Sequence, residues 1–203
     1  MYEVRFPTDE KIERYWTWLK DNLASLEELI DAGNEDLATR KATNRIKSVS
    51  RSLAAVVDTY EGKNHLAISA EGIKEAFPIV DKMVEMSPEF ENWIIVAYKQ
   101  PVETDENFVL NNEEKGVSVA IKDVFYETEP NNGKYDITFY FPQYSLETHY
   151  AWLNTAFKLL DRLLGEYDKE VYIENIKLED YDKKSDKARN ILQLKEEVEK
   201  IKK

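Results

Sequence analysis

Forty Asp and Glu residues, two histidines and no cysteine set the chemistry open to this 203-residue chain. Without cysteine there is no thiol nucleophile, no disulfide and no thiolate metal ligand. The histidines, His65 and His149, stand in no His-x-Glu or His-Glu-x-x-His spacing, so the zinc-hydrolase patterns are missing. Ser69 lies near His65 but in no Gly-x-Ser-x-Gly elbow, and the six scattered glycines form neither a Walker loop nor Gly-x-Gly-x-x-Gly. Carboxylate chemistry remains, in which two acids flank a pocket as in glycoside hydrolysis. Glu71 is the acid to watch, at a strand-to-helix junction where α/β folds place ligands. The same position also suits plain helix-start electrostatics.

A second acidic group is Glu103, Asp105, Glu106, Glu113 and Glu114, in a loop interrupted by Phe108, Val109 and Leu110. Hard oxygen ligands of this kind suit Ca²⁺ or Mg²⁺, but the Asp positions and the sixth-position glycine of an EF-hand are absent. Neither a metal nor a cofactor is therefore expected. Against this acidic background, residues 40–51 carry five bases and no acid. On a helical wheel Arg40, Lys47 and Arg51 cluster opposite the apolar face. They read as a patch for an anion or an acidic partner, or as a solvated face paired with acids such as Asp21. Trp16 and Trp18 lie two apart on a helix and cannot share a face. With Trp16 inward, Trp18 points away beside Tyr15 and Asn22, so either the helix packs on two sides or Trp18 opens a partner surface.

The elements that must hold these residues follow from apolar spacing. Ile12, Trp16, Leu19, Leu23, Leu26 and Ile30 predict a first helix after Thr8, stopped at Gly33-Asn34. Ala38, Ala42, Ile46, Val49, Leu53, Val56 and Val57 predict a second over 35–57, folded back as an antiparallel hairpin. Residues 65–101 read strand, helix, strand. Pro78 bends the helix or marks its first turn. Trp93–Tyr98, apolar at odd and even positions, reads as a central strand covered on both faces. Two strands joined by a helix run parallel through a right-handed crossover.

Val117, Val119 and Ile121 alternate with polar residues, then the phase breaks near Lys122-Asp123. Pro130-Asn131-Asn132-Gly133 marks a turn, and Tyr135, Ile137, Phe139 and Phe141 predict the second arm of a hairpin. Tyr150, Leu153, Phe157, Leu160 and Leu164 form one helical stripe, and Trp152, Ala156, Leu159 and Leu163 another beside it. So wide an apolar face predicts a helix packed deep against a sheet and stopped at Gly165. A final strand is expected from Val171 to Leu178. A last helix begins at Asp186, with Ile191, Leu194, Val198 and Ile201 along one side; it docks or self-associates.

The fold class is therefore α+β. A mixed sheet of about five strands, with the split βαβ order of ferredoxin-like folds, carries helices on one face. An N-terminal antiparallel helical hairpin and a C-terminal helix are added to it. One domain over 1–182 is expected, with the hairpin in 8–60, the sheet-containing core in 65–178 and the last helix in 183–203.

Net charge is −12. That disfavours nucleic acid, whose binding rests on neutralised phosphates, and anionic membrane; it permits a basic protein partner reached by steering. No apolar segment follows the first residues as in a signal peptide, and no run spans a bilayer, so a cytoplasmic chain is expected, monomeric or weakly dimeric.

The chain resembles members of an uncharacterised family of small acidic bacterial cytoplasmic proteins. The resemblance rests on Trp16-Thr17-Trp18, on Leu66-Ala67-Ile68-Ser69-Ala70-Glu71-Gly72, on Trp93 through Pro101, on Asp123-Val124 and on Gly165-Glu166-Tyr167-Asp168. It covers most of residues 8–178, omits the C-terminal helix, and implies no activity and no catalytic residue. The expected function is a non-enzymatic protein-interaction module, binding a basic protein partner. The alternative is a carboxylate-based hydrolase or small-ligand-binding protein using Glu71 and the Glu103–Glu114 loop.

Overall fold

A computed structural model describes residues 4–60 and 62–202, apart from the side chain of Glu114. The chain is α+β and divides into two compact units, residues 1–99 and 100–203. Among the described residues the strands form three sheets, of three, two and four strands, in place of one sheet of about five. No described helix is long and apolar enough to cross a membrane.

The first unit runs α1 (Asp9–Asp31), α2 (Glu35–Ile46), β1 (Ala54–Tyr60), β2 (Lys63–Ser69), α3 (Phe77–Glu85) and β3 (Trp93–Ala97). The expected stripe on α1 is present, with Ile12, Trp16, Leu19, Leu26 and Ile30 buried. Tyr15 is buried too, on the same broad face as Leu19 and Leu26. The Trp16 indole N–H donates to the Met83 carbonyl at 3.1 Å and ties α1 to α3. Gly33, at φ +69°, makes the turn into α2 in a conformation that costs glycine little.

The second helix is shorter than its apolar spacing suggests. It ends at Ile46, and residues 54–60 form β1 instead. The Ser48 hydroxyl donates to the Arg45 carbonyl, and the Ser52 amide donates to the Ser50 hydroxyl. Such local bonds compete with the helix ladder. Val56, Val57 and Thr59 then favour an extended chain.

β2 is the centre of its sheet, in the order β1-β2-β3. It pairs antiparallel with β1 and, as the strand–helix–strand reading expects, parallel with β3. β3 is an edge of this sheet and mostly half-buried, not a central strand covered on both faces. Pro78 lies in the first turn of α3, where its missing N–H costs nothing. Ser69 and Glu71 serve the turn after β2; α3 itself begins at Phe77.

The second unit begins with a two-stranded hairpin, β4 (Val109–Asn112) and β5 (Val117–Ala120). A 3-10 turn at Ile121–Asp123 supplies the expected break. Then come β6 (Phe125–Asn131), β7 (Lys134–Phe141), α4 (His149–Tyr172), β8 (Ile173–Asp180), β9 (Arg189–Asn190) and α5 (Leu194–Glu199). β6 and β7 form the expected hairpin, and the sheet order is β8-β7-β6-β9, with β8 parallel to β7.

The inner face of α4 covers this sheet. Trp152 stacks on Phe141 with ring centroids 4.8 Å apart, and Leu159, Leu160 and Leu163 are buried beside them. Gly165 ends the first run of α4, as expected. It leaves helical geometry at φ 75°, ψ 171°, and helical turns resume to Tyr172, so Val171 and Tyr172 are not yet strand. At the C-terminus Asp186 precedes β9, and the helix itself spans Leu194–Glu199 alone. Ile191, Leu194 and Val198 are buried in the core of this unit.

Candidate functional site

Glu71 sits beyond the C-terminal end of β2, beside the matching end of parallel β3. Two non-glycine residues here have positive φ, Glu71 at 53° and Tyr98 at 66°. Such strain persists only where the surroundings hold it. At Glu71 the Ser69 hydroxyl does so, accepting from the Glu71 amide at 3.0 Å and donating to its carboxylate at 3.3 Å. At Tyr98 the amide donates to the Ile68 carbonyl, and the hydroxyl donates to Asp81 at 2.7 Å.

Lys99 closes the Glu71 group, its ammonium 2.8 Å from the carboxylate. Burial pushes the Glu71 carboxyl up. The hydrogen bond and charge of Lys99, the Ser69 hydroxyl and the charge of Lys47 outweigh it and hold the group below the usual glutamate range. Glu71 is thus a fixed anion, and a poor general acid at neutral pH. Two residues singled out in the sequence, Glu71 and Lys47, act on each other; Lys99 completes the group only through the parallel register of β2 and β3.

Arg40 is on α2, Lys47 caps that helix, and Arg51 lies in the turn before β1, all three exposed. They do not share one helix face, because the helix ends at Ile46. Lys47 donates instead to the Arg51 carbonyl at 2.9 Å. Trp18 is half-buried on α1, its ring 6.0 Å from that of Tyr15.

Glu103, Asp105, Glu106 and Glu113 are exposed in the second unit. Asp105 accepts from the Asn107 amide at 2.7 Å, an Asx turn. The Glu114 side chain lies outside the described residues. Among the described residues no group of three or more His, Asp or Glu is arranged to hold a metal ion. His65 faces Asp58 across β1 and β2, with Tyr60 edge-on to its ring. At the far end of this sheet a polar cleft of about 330 Å³ is lined by Glu27, Asp31, Glu91, Lys63 and Asn64, among others. Glu27 also accepts the Trp93 indole N–H at 2.9 Å.

The two most exposed large apolar side chains among the described residues, Leu146 and Tyr150, stand at the start of α4. Leu146, in the 3-10 turn Leu146–Thr148 leading into the helix, and Tyr150 are each 83% exposed, and Phe157 is 42% exposed. A spacing of seven residues puts Tyr150 and Phe157 on one side of the helix, with Leu146 in the turn just before it. The Tyr144 hydroxyl is 3.0 Å from His149 Nδ1, and the His149 ring is edge-on to Tyr150 at 5.5 Å. Glu179 and Asp180 pair with Tyr140 and Phe141 at the end of β7, and burial and then their charges raise the Tyr144 hydroxyl. Lys183 is paired with both acids.

Sequence spacing assigned Tyr150 and Phe157 to the buried stripe. Their exposure corrects that reading. Two adjacent stripes are wider than one sheet can cover, and the excess apolar width was the signal for an outer face.

Comparison of the chain with protein-family models, with curated proteins and with solved structures finds no match in any of the three.

Proposed function

We propose that the chain is a non-enzymatic protein-interaction module that binds a basic protein partner through the outer face of α4. The observation that carries this reading is the exposure of Tyr150 and Phe157 on one side of α4, with Leu146 exposed in the turn that leads into it. Single exposed hydrophobics are ordinary on protein surfaces, whereas an aligned set rimmed by polar groups is a docking feature. A net charge of −12 favours a basic partner and disfavours nucleic acid and anionic membrane. The reading includes a cytoplasmic chain, monomeric or weakly dimeric.

The test is capture from native extract on the tagged protein and on a Leu146→Asp/Tyr150→Asp double variant, washed at low and high salt. A stoichiometric basic protein held by the wild type, lost from the variant and weakened by salt, supports the reading. Identical captures on both proteins remove it.

A second reading is a small-ligand-binding protein or carboxylate-based hydrolase, favoured by the polar cleft between Glu27, Asp31 and Lys63. Thermal-shift screening of small polar ligands against wild type and Asp31→Asn decides it. A ligand that stabilises both equally does not bind in the cleft.

A further inference from the structure

We propose that the outer face of α4 takes an amphipathic helix of the partner, laid antiparallel to α4 and carrying lysine or arginine at its C-terminal end. The proposal rests on the interaction reading above and specifies the partner segment.

The backbone of α4 decides between a helix and an extended strand. An extended peptide needs a sheet edge whose free N–H and C=O groups can pair with its own. The amides and carbonyls of α4 are spent inside the helix, apart from those at its ends and at Gly165. A segment docking along this face must bring a backbone already satisfied, which means a helix. The side chains agree. Leu146, Tyr150, half-buried Leu153 and Phe157 repeat at four, three and four residues. They form a ridge of the kind that fits the groove of a second helix. The line covers about three turns, roughly 16 Å at 1.5 Å per residue.

Charge sets the direction. At the Leu146 end stand exposed Glu147 and, where β8 pairs with the last residues of β7, Glu179 and Asp180, against one lysine, Lys183. At the Phe157 end Lys169 lies 5.9 Å from the ring but is paired with Asp161 and Glu170, and Lys158 donates to Asn112 at 3.1 Å, so this end is balanced in charge. The face is acidic at its start and balanced at its far end. A helix favours bases in its own last turn and acids in its first. Laid antiparallel, such a helix meets acids with its bases, and its negative C-terminal dipole meets the positive N-terminus of α4. A parallel partner would bring its bases to the balanced end and set its positive N-terminal dipole against that of α4. Three turns give an interface at the small end of specific ones, so the expected affinity is micromolar.

The test uses the intact chain and three fluorescein-labelled synthetic peptides, read by fluorescence anisotropy. Each has leucines at i, i+4, i+7 and i+11. The first ends in a lysine cluster, the second has that cluster at its N-terminus, and the third has glutamates in its place. The expected result is micromolar binding of the first, with the second and third each weaker by about tenfold or more. Tyr150→Glu is expected to weaken the first peptide by a similar factor while leaving the circular dichroism spectrum unchanged.

Equal binding of the lysine and glutamate peptides overturns the proposed partner chemistry and leaves the apolar surface standing. Equal binding of the first two peptides overturns the direction. Binding untouched by Tyr150→Glu overturns both the partner and the surface. Absence of binding by all three overturns the helical partner, and the capture comparison then judges the surface by itself. Self-association that rises with protein concentration and disappears in Tyr150→Glu assigns the face to a second copy and overturns the proposal.

Discussion

Thr43 and Ala55 exchange two hydrogen bonds: the Thr43 hydroxyl donates to the Ala55 carbonyl at 2.8 Å and accepts from the Ala55 amide at 3.1 Å. One turn earlier on α2, Thr39 does the same with Val57, at 3.3 and 2.9 Å. Two threonines four residues apart on a helix thus meet backbone groups two residues apart on a strand. β1 is a sheet edge, and an edge with open N–H and C=O groups invites pairing with another chain. The helix closes it with side chains in place of a fourth strand.

Replacing Thr43 by Val keeps the shape and removes both bonds, leaving the Ala55 amide and carbonyl unpaired. The expected loss is about 1–3 kcal/mol in urea unfolding, with Thr43→Ser losing less. A loss below roughly 0.5 kcal/mol, no more than an ordinary surface change, would mean that water satisfies the edge equally well.

Tyr15 offers the opposite case. Its hydroxyl is buried on α1 with no hydrogen-bond partner among the described residues, and burial raises it far above the usual tyrosine range. Tyr15→Phe removes an unpaid desolvation and is expected to leave stability unchanged or raise it by about 1 kcal/mol. A clear loss in the same unfolding assay would show that the hydroxyl has a partner.

Glu71 gives a pH signature. Its folded carboxyl is held below its unfolded value, so its contribution is present above the ordinary glutamate range and is lost as pH falls through the folded value. Glu71 and Lys99 are 48% and 32% exposed, so the gap between wild type and Glu71→Gln stays under about 1 kcal/mol at pH 7. Urea midpoints measured from about pH 6 to pH 3 are expected to converge at the acid end. A gap that does not change with pH would dissociate Glu71 from Lys99.

Asn112 holds the β4–β5 hairpin to α4. It is buried, its amide donates to Asn154 at 3.0 Å and Thr155 at 3.2 Å, and its carbonyl oxygen accepts from Lys158. Asn112→Ala is expected to cost about 1–3 kcal/mol and to speed amide exchange in β4 and β5. Unchanged exchange there would show that apolar contacts alone hold the hairpin.

These residues also mark what the sequence shows and what it does not. The stripe of α1, the parallel β2–β3 pair and the hairpin at Asn131–Gly133 follow from apolar period and turn chemistry, which are local. The end of α2 was hidden because Val49, Leu53, Val56 and Val57 fit a helical period as well as a turn followed by a strand. The division into three sheets depends on which strands pair, and no period records that. Lys99 joins Glu71 only once β2 and β3 are in register, and Thr39 and Thr43 look like ordinary helix-surface threonines until β1 lies beside them. The outer face of α4 was half legible: its width was visible, and its exposure was not.

The central claim, that α4 meets a partner along its outer face, is tested most directly by a photo-crosslinking residue placed at Tyr150, with exposed Lys195 on α5 as the control. Irradiated in native extract, the probe at 150 is expected to yield one discrete crosslinked protein, absent from the probe at 195 and suppressed by Leu146→Asp. The same products from both positions, or none from 150, would contradict the account.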